Sequence, residues 1–449
     1  MKKTVTKLAL LGSVGLLLVT GCTPSSEPGP GGSSSYEPTS EPSSSFSGDP
    51  GSKTIKVMFH VDASSKEGIA YKKRIDAFNL AYKDQGLKAS PSFVARTAGA
   101  ADYEQNLIGL QNEGNLPDII TFDAPNCASY ANSGLLYDIT NLVSSEVKED
   151  YITLNQYNHR LYGLPIQESS AGFYYNKKIF NAAGIDVSGI TVDNPWTFDE
   201  FKSVCEKLKG HTTFPVDMRL DATQDEMATY LLYPFIYATN GKFLSDDGLT
   251  AKGYFNSANT AKGFQFLKDL VTAGYSSYSI GATDFFTGKV GMYLSSGWTI
   301  PDLDMKYPEM FPSRDTWGLL PYPKEANAAS ATGSWCYGVT INGRENKEYV
   351  MELLNFLTTA ESCKAIVSAT GMIAARKSVE TNYEPGSPED VLLQQLSKTG
   401  KERPVTIGYP DFSKRFRQVI YGLKDSDVQA LLDDKADALQ DELDLLNIY

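Results

Sequence analysis

Gly114-Asn115-Leu116-Pro117-Asp118-Ile119-Ile120-Thr121-Phe122-Asp123 closes a helical pattern and then reads as a strand, and the organisation of the chain follows from it. Upstream, Asp102 to Glu113 sets Tyr103, Leu107 and Leu110 on one helical face, and Gly114 stops that helix. Asp118 to Phe122 forms the strand, which delivers Asp123 at its carboxyl end. Further back, Ile55, Val57 and Phe59 alternate with Lys56, Met58 and His60, the period of a half-buried strand. Ser64 to Glu67 has the spacing of a capping box, predicting a helix through Ile75 and Phe78 to Gly86, with a second strand near Phe93 and Val94. The order is βαβαβ. Ligands of open α/β sheets bind outside the carboxyl ends of strands, which puts His60 and Asp123 at a crevice.

Downstream the same grammar returns. Gly172-Phe173-Tyr174-Tyr175-Asn176 reads as a strand, and Thr197 to Glu200 as a capping box with Trp196 stapled to Phe201, a structural role for that indole. Helices are predicted from Glu226 to Tyr237 and from Ser257 to Ala273, the latter stopped by Gly274. Val290-Gly291-Met292-Tyr293-Leu294 is a short strand running into Ser295-Ser296-Gly297-Trp298. Trp298 lies between a Gly and the helix start Pro301-Asp302, a strand-to-helix corner where an indole faces either a cleft or the core. Trp317, ahead of Gly318-Leu319-Leu320, is expected to be packing.

The amino terminus carries a different message. Lys2, Lys3 and Lys7 precede Leu8 to Val19, an apolar run too short to span a bilayer, and Val19-Thr20-Gly21-Cys22 is the pattern at which bacterial lipoproteins are cut and acylated. Residues 1–21 are therefore expected to be a signal peptide and Cys22 the lipidated terminus, held by roughly 0.8 kcal/mol per buried CH2. From Cys22 to Ser52 the chain is mostly Ser, Pro, Gly and Glu and reads as a disordered tether with a reach on the order of 30 Å. The expected location is the extracellular face of the cell membrane.

Composition narrows the classes further. The 449 residues carry a formal charge of −13, which becomes −16 once the three signal lysines are removed, so nucleic acid is excluded as a partner. Besides Cys22, Cys127, Cys205, Cys336 and Cys363 are far apart with no C-x-x-C spacing; buried thiols are expected, with two disulfides as the alternative. His60, His159 and His211 form no H-E-x-x-H, so neither a zinc centre nor another cofactor is expected. The 53–449 segment is long enough for two domains.

Several segments together carry a family resemblance. Gly114 to Ile120, Tyr162-Gly163-Leu164-Pro165 followed by Phe173 to Lys177, Asn240-Gly241-Lys242, Phe286 to Met292 with Gly297-Trp298, and Gly371 to Arg376 occur in that order across nearly all of Lys53 to Tyr449. In this the chain resembles the extracellular solute-binding lipoproteins of carbohydrate ABC transporters, the maltose-type family. It departs from the family at Met372-Ile373-Ala374-Ala375, where a Pro is common. The resemblance implies an α/β, two-lobe periplasmic-binding-protein-like fold, doubly wound sheets joined by hinge crossovers near Leu164-Pro165, Leu319 to Pro321 and Gly371. One lobe would comprise 53–165 plus 321–370, the other 166–320 plus 371–449. It also implies closure on a sugar, docking of the closed form on permease subunits, and no catalysis.

The resemblance gives Trp298 the role of a sugar-stacking aromatic, since C–H faces of pyranose rings lie against aromatic faces. Trp335, in the loop Ala331-Thr332-Gly333-Ser334-Trp335, is the next candidate, with a core role as its alternative. Asp123 and Glu168 are candidates to accept pairs of hydroxyls. His60, Tyr237 and Tyr409 complete the candidate set, each with packing or a rim position as its alternative. A monomer is expected. Two other readings stay open: a lipid-anchored glycosidase using Asp123 and Glu168, and the same fold binding a non-sugar solute. A phosphorylated cargo would need clustered Arg, and Arg96 and Arg376 are isolated in the sequence.

Overall fold

The computed structural model describes residues 53–96, 102–222, 225–333 and 335–446. The signal peptide, Cys22 and the tether lie outside the described residues. Along the chain, β1 (Lys53–Phe59), β2 (Leu87–Phe93), β3 (Ile119–Asp123), β4 (Asn155–Tyr157) and β5 (Arg160–Pro165) build the first lobe, and β6 (Gln167–Glu168) leaves it. The second lobe holds β7 (Ala171–Asn176), β8 (Phe214–Asp217), β9 (Val290–Ser296) and β10 (Trp317–Leu320). The chain then passes through β11 (Ser330–Ala331) to β12 (Trp335–Val339), and later forms β13 (Ile373–Ala374) and β14 (Gly400–Lys401).

The first sheet has the order β2-β1-β3-β12-β5-β4, the second β10-β7-β9-β8. β1, β2 and β3 run parallel, as helix-linked strands must, whereas β12 returns antiparallel between β3 and β5. β3, β7 and β9 are buried at every position, because helices cover both faces of each sheet. Separate apolar cores follow: Phe59, Tyr71, Phe78 and Leu354 in the first lobe, and Phe173, Phe201, Phe235 and Phe264 in the second.

Three crossings connect the lobes and are bonded to one another. β6 pairs antiparallel with β13, Ile373 opposite Glu168, and Ser169 bridges to Gly333 on the way to β12. The segment Met372 to Ala375 thus follows an extended path without a Pro, fixed by pairing with β6. After Leu320 the chain stays with the second lobe, where Tyr322, Ala329 and Ala331 join its core. Gly371, at φ +73°, caps the preceding helix in a left-handed turn, and its backbone lies against Gly297, where an added Cβ would meet the Gly371 carbonyl oxygen at 2.3 Å.

Two local expectations are corrected. Ser65 caps the first helix, its hydroxyl accepting from the Gly68 N–H, while the Ser64 hydroxyl donates to Asp62; the helix Lys66–Ala81 ends well before Gly86. Gly86, at φ +70°, turns the chain directly into β2, which starts at Leu87 rather than near Phe93. The second capping box is present, with Thr197 and Glu200 bonded reciprocally and Trp196 edge-on to Phe201 at 6.3 Å. Trp317 is buried. Cys127, Cys205, Cys336 and Cys363 are buried thiols, not disulfides.

Candidate functional site

The carboxyl ends of β1 and β3 and the start of β12 meet at one edge of the first sheet. Antiparallel pairing sets Trp335 directly opposite Asp123, and His60 follows β1 at the same edge. The His60 and Trp335 rings lie parallel, with centroids 3.3 Å apart. Thr121 Oγ1 is 3.0 Å from His60 Nδ1, and Glu67, near the start of the first helix, lies 3.8 Å from Nε2. Burial, and then the charge of Arg96, push the imidazole pKa well below its usual value, so His60 is neutral at pH 7. Burial raises the pKa of Glu67, against the hydroxyl that Tyr71 donates to it at 2.7 Å.

The second lobe supplies the opposite wall. β9 runs into the short turn Gly297–Thr299, which holds Trp298 half-buried at the mouth of the cleft, 5.9 Å from the Tyr230 ring. Tyr230 stands on the helix Glu226–Ala238, and its hydroxyl donates to Ser169 at 2.9 Å. The enclosed space is about 720 Å³ including its open mouth, and Trp298, Tyr230, Trp335, His60, Glu67 and Arg96 are among its lining residues.

Arg403 crosses from the second lobe to the first. Its Nη1 and Nη2 donate to Asp123 at 2.9 and 2.7 Å, a bidentate pair, and Nη1 also donates to Glu226 at 2.9 Å. The guanidinium lies over Tyr230, 5.3 Å from ring to Cζ, and a Cβ on Gly333 would come within 2.7 Å of Nη2. Arg403 and Asp123 are only 5% and 6% exposed, so the pair is desolvated and geometrically fixed. It divides the cleft. On its far side lies a second chamber that shares Gly333 and Arg403 with the first and is lined by Thr153, Asn155, Glu168 and Glu402.

Residues 73–394 match the family model for bacterial extracellular solute-binding proteins. The chain belongs to that family. A Brucella abortus relative, whose description goes no further than a binding protein, is 25% identical over 331 residues, covering 69% of this chain and 76% of the relative. The multiple sugar-binding protein of Streptococcus mutans is 21% identical, covering 64% of this chain and 67% of that protein. The crystal structure of the cyclic alpha-maltosyl-1,6-maltose binding protein from Arthrobacter globiformis superposes with a TM-score of 0.73 at 21% identity, over 88% of this chain and 99% of that one. These likenesses establish the two-lobe fold, and the family is one of binding proteins rather than enzymes.

The cleft between the lobes gathers some of the expected residues and not others. Trp298, Trp335, His60 and Asp123 line it. Asp123 does so with each of its oxygens accepting from Arg403. Glu168 lines only the second chamber, accepting from the Thr153 hydroxyl, and burial pushes its pKa up to about 8. Tyr237 and Tyr409 are corrected: Tyr237 packs against Tyr233 and Phe243 inside the second lobe, and Tyr409, 1% exposed, donates its hydroxyl to Glu226 from behind the cleft. Arg403, Glu226 and Tyr230 had no local signal, because Arg403 sits alone in a loop and the other two lie on an apolar helix. Arg96 does reach the cleft, 2.9 Å from Glu104, whereas Arg376 holds Asp150 at 2.6 Å elsewhere in the first lobe.

Proposed function

We propose that this chain is a lipid-anchored receptor on the outer face of the cell membrane that binds a saccharide between its lobes and delivers it to the permease of an ABC importer. The observation that carries this reading is a pair of indoles, Trp298 and Trp335, contributed by opposite lobes to one cleft whose walls also hold polar groups. Apolar ring faces against indole, and hydroxyls against fixed donors and acceptors, are what a pyranose needs. A ligand touching both walls shifts the population toward the closed form, the form that a permease would select. The sugars named for the Streptococcus mutans and Arthrobacter globiformis relatives support the substrate class. Anchoring rests on the Val19 to Cys22 pattern, and the tether leaves the monomeric receptor close to its membrane partner.

Thermal melting and calorimetric titration across a panel of mono- and oligosaccharides test the binding claim, because a ligand of the native state raises apparent stability by mass action. At least one sugar is expected to raise the melting temperature, and Trp298→Ala to weaken its binding by roughly tenfold to a hundredfold with the fold retained. Absence of any response throughout the panel would refute the reading. For the anchor, Cys22→Ala should abolish incorporation of labelled palmitate and release the chain from the membrane fraction; a membrane-bound, unlabelled wild type would count against it.

A further inference from the structure

Between the two chambers stands a wall that reaches from lobe to lobe. At its centre one guanidinium ties the carboxyl end of β3 to the start of the helix Glu226–Ala238, Arg403 donating to both oxygens of Asp123 and to Glu226. Behind Glu226, the hydroxyls of Tyr409 and Ser413 donate to its carboxylate and hold it against the cation. The wall continues into the crossings. Ser169, which follows β6, donates its hydroxyl to the Gly333 carbonyl oxygen at 2.5 Å and accepts from Tyr230, and a Cβ at Gly333 would press on Arg403 Nη2 at 2.7 Å and on the Tyr230 ring at 3.1 Å. Asp123, Ser169, Tyr230 and Arg403 are all buried.

Trp298 stands close to this wall. Its ring is 5.9 Å from Tyr230, and Tyr230 in turn lies 5.3 Å from the guanidinium carbon, so a sugar stacked on Trp298 meets Arg403 within one or two rings. A further ring entering the second chamber would have to part a desolvated bidentate pair and leave Asp123 and Glu226 facing each other without their cation. In the other direction, rings leave through the open mouth and meet water. Resting on the saccharide reading above, we propose that Arg403 sets the length of the cargo: its pair with Asp123 is the end wall of the binding site and limits the bound sugar to one or two rings. A longer oligosaccharide binds through its terminal rings alone, with the remainder in solvent. The role is one of exclusion. A merely structural residue, when replaced, weakens sugars of every length alike, whereas loss of a wall changes how affinity depends on length.

Calorimetric titration of the full chain with the linear gluco-, xylo-, galacto- and manno-oligosaccharides, each from one ring to four, tests this. In the series that binds, the trimer and tetramer are expected to bind within about twofold of the dimer. Arg403→Met combined with Asp123→Asn removes the pair without leaving Asp123 a lone buried charge, and in that variant the tetramer should bind roughly tenfold more tightly than the dimer. The melting curve of the variant, measured without sugar, reports whether it folds. Whatever that curve shows, the wild-type series decides by itself: a tenfold gain from dimer to tetramer overturns the end wall and leaves the saccharide reading standing. A folded variant that binds every length equally, or loses every length equally, assigns Arg403 a structural role only and also overturns the proposal. Absence of binding by every series removes the proposal and the saccharide reading together.

Discussion

Arg403 shows at a single residue how the two lobes are held together beside the cleft. Its guanidinium joins Asp123 of one lobe to Glu226 of the other with almost no contact to water, so loss of the cation leaves two carboxylates facing each other in a low-dielectric site. Arg403→Ala is expected to destabilise the protein by about 3–5 kcal/mol in chemical denaturation. A loss under about 1 kcal/mol, the size of an exposed pair, would place the interaction in solvent instead. Glu168 acts in the opposite direction. Its folded-state pKa, about 8, lies above the unfolded value near 4.5, so it costs nothing below pH 4 and its penalty grows as the pH rises from about 4.5 to about 8. Asp217, raised to about 7 mainly by burial, adds a penalty that grows between its unfolded value of 3.8 and about 7. Glu168→Gln should therefore gain stability over wild type as the pH climbs through that window. Equal pH dependence of the two proteins in urea melts would contradict the burial of Glu168.

At the scale of the element, the parts of the fold that were legible are those where one short pattern has a single physical meaning. Thr197 to Glu200 spells a reciprocal cap, and the cap forms; Thr197→Ala should cost about 1 kcal/mol, read from the urea midpoint, and an unchanged midpoint would deny it that role. The fully buried β3 and β9, with their apolar stretches Ile119-Ile120 and Val290 to Leu294, were legible for the same reason. β2 was not, because Leu87-Lys88-Ala89-Ser90-Pro91-Ser92-Phe93 is too polar to announce a strand and is defined by its parallel register with β1. Near Ser64 the doublet of serines hid the true cap, which depends on Asp62 drawing Ser64 away. Gly371 joins element to hinge: Gly371→Ala should cost about 1 kcal/mol or more, since its φ is +73° and a Cβ would press on the Gly297 carbonyl oxygen at 2.7 Å. An unchanged melting temperature would show that this turn relaxes freely.

For the whole molecule, the sequence pattern carries the two-lobe plan because each lobe repeats strand-helix alternation and each has its own core. The site is less legible. Trp298, Trp335 and His60 stand at strand ends, where topology alone directs them to the crevice, but Arg403, Glu226 and Tyr230 meet the first lobe only through folding of segments up to 280 residues apart. No local spacing encodes such a contact, and the positions of Tyr237 and Tyr409 have the same origin: an aromatic on a helix faces core or cleft according to what packs on it. The measurement that bears most directly on the central claim is native mass spectrometry of the full chain purified without denaturation from cells grown in rich medium. A retained ligand with the mass of a saccharide, displaced by excess of that sugar and absent from Trp298→Ala, is the predicted result. A retained peptide or phosphate ester, or a saccharide held equally well by the variant, would contradict it.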